Sequence, residues 1–371
     1  MLGERSGRSV FKSITFSLNN SQYLSVTDFN QDQLYTKNGD VSSITTTIFG
    51  KQIIWNRAFD TLNRPVRDSL DNLIFTDYQF DSLSRPTQIL HSRNTSLISK
   101  YDYTYSLNGN ITKIVENANG FQLQRNYSYD QLNRLVGASF EDPFAYDLLG
   151  NRTDYGATYN LINQRLEDNK YLNSFDIRGN LVERINKQNN EKLLLEWDNQ
   201  NQLTRVENLK GTVSQYEIFT RYDSANRRIE TQYVNKIDST KNYTRKLVYN
   251  KEDVILELDE NDKPIAFYIH GVGIDEPLAM MRDIDGDGKF EDNEFFYFTK
   301  DHLNSVRELL DSNGNIYQKY SYSAYGEATI KKQNENSNLI ENRYAFTSRE
   351  IDEGAASYNK SHYVITCCIA R

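Results

Sequence analysis

The chain has 371 residues and a net charge of −8 with a pI near 5.3, its basic residues scattered among turn sequences. That argues against nucleic acid as a main partner, because phosphate binding needs a concentrated positive face. No run approaches the roughly 18 apolar residues that cross a bilayer, and Met1–Ser9 lacks the apolar core of a secretion signal. Hydrophobic residues make up only 38%, yet 26 Tyr and 18 Phe supply a large apolar payload on side chains that partly want water. Such a composition suits long sheets with one dry and one wetter face.

Residues 1–55 alternate polar and apolar: Phe11–Leu18 predicts a strand, Asn19-Asn20 a turn, and Asn38-Gly39-Asp40 a second turn leading into a strand-like Val41–Phe49. From Phe59 onward one motif recurs. Tyr129-Asp130-Gln131-Leu132-Asn133-Arg134 has relatives starting at Phe59, Phe80, Tyr105, Tyr146, Tyr159, Phe175, Trp197 and Tyr222. The first column is always aromatic, which fills a pleated, half-buried surface. The second is Asp, Asn or Ser, whose short side chain bonds to the backbone two residues on and starts a turn. The fifth is Asn, Gly or Ser, and Asn and Gly tolerate positive φ best. Together the columns predict β-hairpins. Their uneven spacing favours hairpins laid side by side in a continuous sheet over a solenoid of identical rungs.

Weaker copies follow at Tyr249–Asp253, Leu258–Asp262 and Asp311–Ile316. Between them lies Asp283-Ile284-Asp285-Gly286-Asp287-Gly288-Lys289-Phe290-Glu291-Asp292-Asn293-Glu294, which satisfies the twelve-position calcium-loop pattern. The expected ligands are Asp283, Asp285 and Asp287, the main-chain carbonyl of Lys289, Glu291 and Glu294, and the expected cofactor is calcium. Calcium takes six to eight hard oxygens, and this spacing lets one tight loop wrap them around the ion. The flanks Ala279-Met280-Met281 and Phe295–Phe298 predict strands, so the loop would close a hairpin. Ser305–Leu310 fits helical and strand spacing alike; the turn after it decides for strand. No capped amphipathic helix of ordinary length is expected from Phe59 to Tyr222.

The aromatic-Asp-x-x-Asn/Gly-Arg copies resemble the YD repeats of RHS-repeat proteins, which also occur in teneurins and in the shell component of insecticidal toxin complexes. Tyr268–Ala279, Asp301–Arg307, Asp311–Asn315, Tyr322–Glu327 and Arg343–Asp352 resemble the RHS repeat-associated core, with Ser348 where a Gly is usual. The resemblance implies an all-β fold of YD-repeat hairpins forming a continuous spiralling sheet or shell, a partial β-cocoon. It implies as partner a C-terminal toxin effector or neighbouring repeat segments of a longer chain, and a secreted or cell-surface location. In the family the core ends in an Asp-Pro-x-Gly-type segment where aspartates assist self-cleavage. Here residues 353–371 diverge from that pattern, so no catalytic residue is carried over, and the expectation is a truncated or frame-shifted gene.

The expected organisation is N-terminal strands over 1–55, YD-repeat sheet over 56–265, the associated core over 266–352 and a divergent tail over 353–371. The adjacent Cys367 and Cys368 provide no disulfide framework. His302 near Ser305 finds neither an activating acid nor an oxyanion loop and is expected to be structural. The chain is thus expected to be a non-catalytic scaffold. A cell-surface adhesion or glycan-binding module is the alternative that the tyrosine enrichment allows, and a degenerate fragment is a third.

Overall fold

The computed structural model describes residues 5–7, 14–18, 22–26, 30–36, 38–48, 51–118, 120–273, 275–334 and 338–351. The Asn19-Asn20 turn, Asp352, His362 and the expected tail over 353–371, with Cys367 and Cys368, lie outside them. The fold is nearly all β, 57% strand, and the described residues contain no α-helix, only short 3-10 turns. Two large antiparallel sheets of eleven and sixteen strands pair almost entirely in chain order, beside a separate hairpin of Ile14–Leu18 with Gln22–Val26. Val306–Leu310 is a strand, as the turn after it predicts.

Each repeat reverses the chain by one mechanism. In Tyr129–Arg134 the Asp130 N–H donates to the Arg134 carbonyl (3.0 Å) and the Asn133 N–H to the Asp130 carbonyl (3.0 Å). One Asp130 carboxylate oxygen accepts the N–H groups of Leu132 and Arg134 (2.9 Å each), and the other accepts Arg134 Nε (2.7 Å). The register slips at Tyr129, so the loop is a tight turn closed by a left-handed residue and a bulge. All nine fifth-column residues are left-handed: Asn63, Ser84, Asn133, Asn163, Asn201 and Asn226 at φ 60–64°, and Gly109, Gly150 and Gly179 at φ 87–91°. Hydrogen bonds from Arg134 and Leu132 hold the Asp130 carboxyl below the ordinary range despite some desolvation, and Asp60, Asp81 and Asp223 are held down in the same way.

The remaining two columns join one turn to the next. Arg64 donates to the Asp81 carbonyl (3.2 Å) and its guanidinium lies 4.9 Å from the Phe80 ring centroid. Arg85 repeats this on the Ser106 carbonyl (3.4 Å) and Tyr105 ring (4.6 Å), and Arg134 on the Asp147 carbonyl (3.1 Å) and Tyr146 ring (4.8 Å). The rings reach back in turn. Tyr105 Oη donates to the Pro86 carbonyl (2.7 Å), Tyr146 Oη to that of Leu135 (2.7 Å), Trp197 Nε1 to that of Leu181 (2.8 Å) and Tyr222 Oη to that of Leu203 (3.0 Å). Each accepting residue directly follows the preceding turn.

Tyr249–Asp253 is not such a copy: it is a two-residue hairpin in which Lys251, the third position, takes the positive φ of 56°. Leu258–Lys263 and Leu310–Asn315 are full copies with Leu in the aromatic column. Three more copies escape the sequence comparison. Thr36–Asp40, Asp301–Ser305 and Ser323–Glu327 make the same pair of backbone bonds, with Gly39, Asn304 and Gly326 left-handed. Thr36 and Lys300 depart from the second and first columns, whereas Tyr322, Ser323 and Gly326 fit all three.

The described chain forms two compact units, one of residues 1–126, 266–322 and 328–349, the other of 127–265, 323–327 and 350–371. Residues 56–126 and 127–265 fall in different units, and residues 266–322 and 328–349 share one with residues 56–126. Within that first unit the reason is packing. Tyr297 Oη donates to Asp71 (2.8 Å), Tyr101 Oη and Ser99 Oγ donate to the fully buried Glu308 (3.1 Å each), and Arg307 pairs with Glu116 (2.6 Å). On the other side Gln318 exchanges bonds with Ile340 (2.9 and 3.1 Å), and Ala345 accepts the Val306 N–H (2.9 Å). Pro277–Arg282 and Val306–Leu310 are accordingly buried at every position; Pro277–Met281 reads as an unbroken apolar run, whereas Val306–Leu310 buries Arg307 and Glu308 against the partners just named.

His91 sits in this unit, fully buried. Its Nε2–H donates to the Lys300 carbonyl (2.9 Å), so its Nδ1 accepts the Thr76 hydroxyl (2.9 Å) and the ring is neutral. Burial pushes its pKa down to about 4. The unfolded imidazole titrates near 6.5, so below that value the unfolded state takes up a proton the folded state refuses. Stability should therefore be complete above about pH 6.5 and fall by roughly 3 kcal/mol toward pH 4. Urea unfolding across that range should show this slope, and His91→Gln should flatten it.

Ser84 provides a backbone test. Its φ of 61° lies where a side chain costs about 1–2 kcal/mol. Ser84→Gly should raise the unfolding free energy by up to about 1 kcal/mol and Ser84→Val should lower it by about as much, measured by chemical denaturation.

Candidate functional site

The acidic loop joins Pro277–Arg282 to Phe295–Lys300, so its flanks are strands, as the sequence predicts. Asp283 opens it and accepts the N–H groups of Gly286 (2.7 Å) and Gly288 (2.8 Å), both left-handed glycines at φ 79° and 84°. Asp285 accepts the Asp287 N–H (3.0 Å), and Asp287 accepts the Lys289 N–H (2.7 Å). Three carboxylates are thus turned inward by backbone amides two to five residues ahead. Glu294, 1% exposed, closes the loop: its two oxygens accept the N–H groups of Ile284 (2.5 Å) and Glu291 (3.1 Å), and a 3-10 turn over Asp292–Glu294 holds it there.

Ligand atoms of Asp283, Asp285 and Asp287 lie within 4.8 Å of one another, and so do those of Asp285, Glu291 and Glu294. Asp285 belongs to both groups, so the two triads adjoin at that residue. Lys289 enters differently: its ammonium stands 3.5 Å from Asp287 and is largely exposed. Desolvation and the negative charges of Asp287, Glu294 and Asp285 push the Glu291 carboxyl up. This crowding of hard oxygens fits a divalent cation, which would remove the repulsion.

A second cluster in the same unit was not singled out from the sequence. A cavity of about 260 Å³ is lined by Arg57, Asp68, His91, Glu276, Lys300 and His302, among others. Arg57 makes a bidentate pair with Asp68 (2.7 and 2.8 Å) and reaches Glu276 (2.8 Å). Burial pushes Glu276 up, but the neighbouring Lys300 and Arg57 charges outweigh it and leave its carboxyl below the ordinary range. The Lys300 ammonium is buried without a protein partner, and burial lowers its pKa. The Gly271 of the core signature is explained here: a Cβ on it would fall 2.5 Å from Glu276 Oε2. An Asp275-Glu276 pair between a Gly-x-Gly and a strand is the signal that could have marked Glu276.

His302 and Ser305 have separate structural partners. The His302 ring packs on Tyr103 (4.6 Å between centroids), and Ser305 Oγ accepts the Thr347 N–H (3.0 Å). The tyrosines Tyr216, Tyr233 and Tyr243 stack on one another across neighbouring strands at 5.4 and 5.1 Å. No helix among the described residues is long and apolar enough to cross a membrane.

No family model matches the chain. Over 247 residues it is 27% identical to the tRNA3(Ser)-specific nuclease WapA of Bacillus spizizenii and 26% identical to the tRNA nuclease WapA of Bacillus subtilis. The match covers 62% of this chain and 9% of each relative. Among solved structures, the Tc holotoxin pore of Photorhabdus luminescens superposes with a TM-score of 0.61 at 16% identity, over 93% of this chain and 19% of that one. The TcdB2-TccC3-Cdc42 complex gives a TM-score of 0.62 at the same identity and coverage. The chain spans less than a tenth of its curated relatives and about a fifth of its structural neighbours. Repeated turn, all-β fold and these likenesses together support the RHS/YD-repeat resemblance read from the sequence.

Proposed function

We propose that this chain is a non-catalytic length of wall, an RHS/YD-repeat scaffold of a polymorphic-toxin-type protein that encloses or presents a C-terminal effector. One observation carries the reading. The repeat's aromatic, Asp and Arg columns are occupied in bonds from one turn to the next, so the abundant polar chemistry of the sequence serves the sheet. Likeness to toxin-complex structures and to WapA supports the toxin setting, and a secreted or cell-surface location goes with it. Containment asks only for unbroken backbone pairing, which excludes solvent without any reacting group. The purified chain should leave tRNA intact and should shield a co-expressed effector from protease. Steady tRNA breakdown that disappears on substituting His302 or Ser305 would instead make the chain an enzyme.

The acidic loop gives the wall a calcium clasp in this proposal. Asp283, Asp285, Asp287, Glu291, Glu294 and the Lys289 carbonyl would hold the ion, which neutralises the mutual repulsion of the carboxylates. Calcium at about a hundredfold over its dissociation constant should stabilise the chain by about 2.7 kcal/mol, and Glu294→Gln should abolish the calorimetric heat and the shift. No heat, together with unchanged hydrogen-exchange protection of residues 284–291, would remove calcium from the account.

A further inference from the structure

The cavity beside Arg57 leaves one charge over. Its lining carries three carboxylates, and all are engaged. Asp68 receives Arg57 on both oxygens (2.7 and 2.8 Å) and the Tyr78 hydroxyl on one (3.0 Å). Glu276 takes Arg57 on one oxygen (2.8 Å) and the Gly273 N–H on the other (2.7 Å). Asp301 accepts the Leu303 and Ser305 N–H groups of its own turn (2.9 and 3.0 Å). Arg57 is further held on the Trp55 ring, 4.5 Å from its centroid. Lys300 Nζ and His302 Nδ1, in contrast, are buried with no hydrogen-bond partner. An ammonium shut away from water without an acceptor is strongly unfavourable. Water supplies an acceptor but no opposite charge, and much of the remaining lining is apolar. Ile89, Leu278 and Phe298 are buried there, while the half-buried Phe80, Pro86 and His302 reach solvent and give access.

We propose that this cavity binds a small organic monocarboxylate, its carboxylate on the Lys300 ammonium and its apolar body against Ile89, Leu278 and Phe298. One negative charge matches the one positive charge that the chain leaves unpaired. A dianion such as phosphate would bring an excess charge beside Asp68 and Glu276, and their repulsion selects against it. His302, in the tautomer protonated at Nδ1, offers the carboxylate a second donor. The volume of about 260 Å³ equals that of roughly nine waters at about 30 Å³ each. It admits a body the size of a benzene ring or a short branched chain, and no folded partner.

Isothermal titration calorimetry on the full chain should show benzoate binding at a single site. Phosphate and the neutral isostere benzamide should each bind at least about tenfold more weakly, because neither completes the pair with Lys300. Lys300→Met keeps the length of the side chain and removes its charge. It should weaken benzoate at least about tenfold without lowering the melting temperature, since no ion pair within the chain is lost. A wild-type chain that gives no heat with benzoate at about 10 mM overturns the proposal. So does a folded Lys300→Met chain that binds benzoate as the wild type does, and so does phosphate bound as tightly as benzoate. Should Lys300→Met fail to fold, benzoate against benzamide on the wild-type chain decides alone, and equal affinities overturn the proposal.

Discussion

The structure depends on one acceptor oxygen. In the YD turns with Asp or Asn at the second position, that side chain takes the amide hydrogens of the fourth and sixth, and this fixes a reversal that hairpin backbone would otherwise make in several ways. The left-handed fifth residue follows, because only that conformation aims both amides at the same oxygen. The bulge at the aromatic follows too. These turns are exposed, so the ion pairs within them contribute little by charge alone. Their effect is geometric. They set where each strand begins, and hence which side chains of successive hairpins meet.

From that geometry the sheet acquires cohesion beyond its ladders. The sixth-position arginine, already oriented by its own Asp, extends over the next aromatic ring and reaches a carbonyl beyond it. A lysine could supply the charge but not the planar, forked set of donors that serves both neighbours. The aromatic ring buries its body in the same place and spends its hydroxyl or indole N–H on the preceding repeat. Repeats that end in Arg are therefore tied forward by that residue, and those that open on Tyr105, Tyr146, Tyr159, Trp197 or Tyr222 are tied backward by it. The strands between can differ in length without loosening the edge, which explains how repeats of uneven spacing build long sheets.

The repeat was legible in the sequence because it is local: three columns within six residues encode one turn, and all nine left-handed positions follow from them. Copies whose first or second position departs from the columns, such as those at Asp301 and Thr36, are hidden for the same reason, since spelling is not hydrogen-bond capacity. Ser and Thr hydroxyls can do part of the work of Asp. What the sequence did not reveal is the pairing of distant segments. Arg57, Asp68 and Glu276 look like surface charges in an acidic chain until 219 residues of separation close between Arg57 and Glu276. The division into units was hidden likewise, because it rests on contacts such as that of Tyr101 with Glu308, 207 residues apart. The acidic loop lies between these extremes, with its spacing readable in advance and its convergence visible only once the strands on either side are in place.

The second position also shows which property of the repeat matters. Asn160 replaces the carboxylate with an amide, yet its oxygen still accepts the Ile162 N–H (3.1 Å) and the Gln164 N–H (3.0 Å), while its own amide donates to Gln164 (2.6 Å). Charge has been removed from both members of the pair and the turn is unchanged, with Asn163 at φ 62°. The reversal is thus specified by acceptor geometry, and ionisation is an addition that most copies carry. Because the turn tolerates any tip, the third and fourth positions are free of the fold's demands.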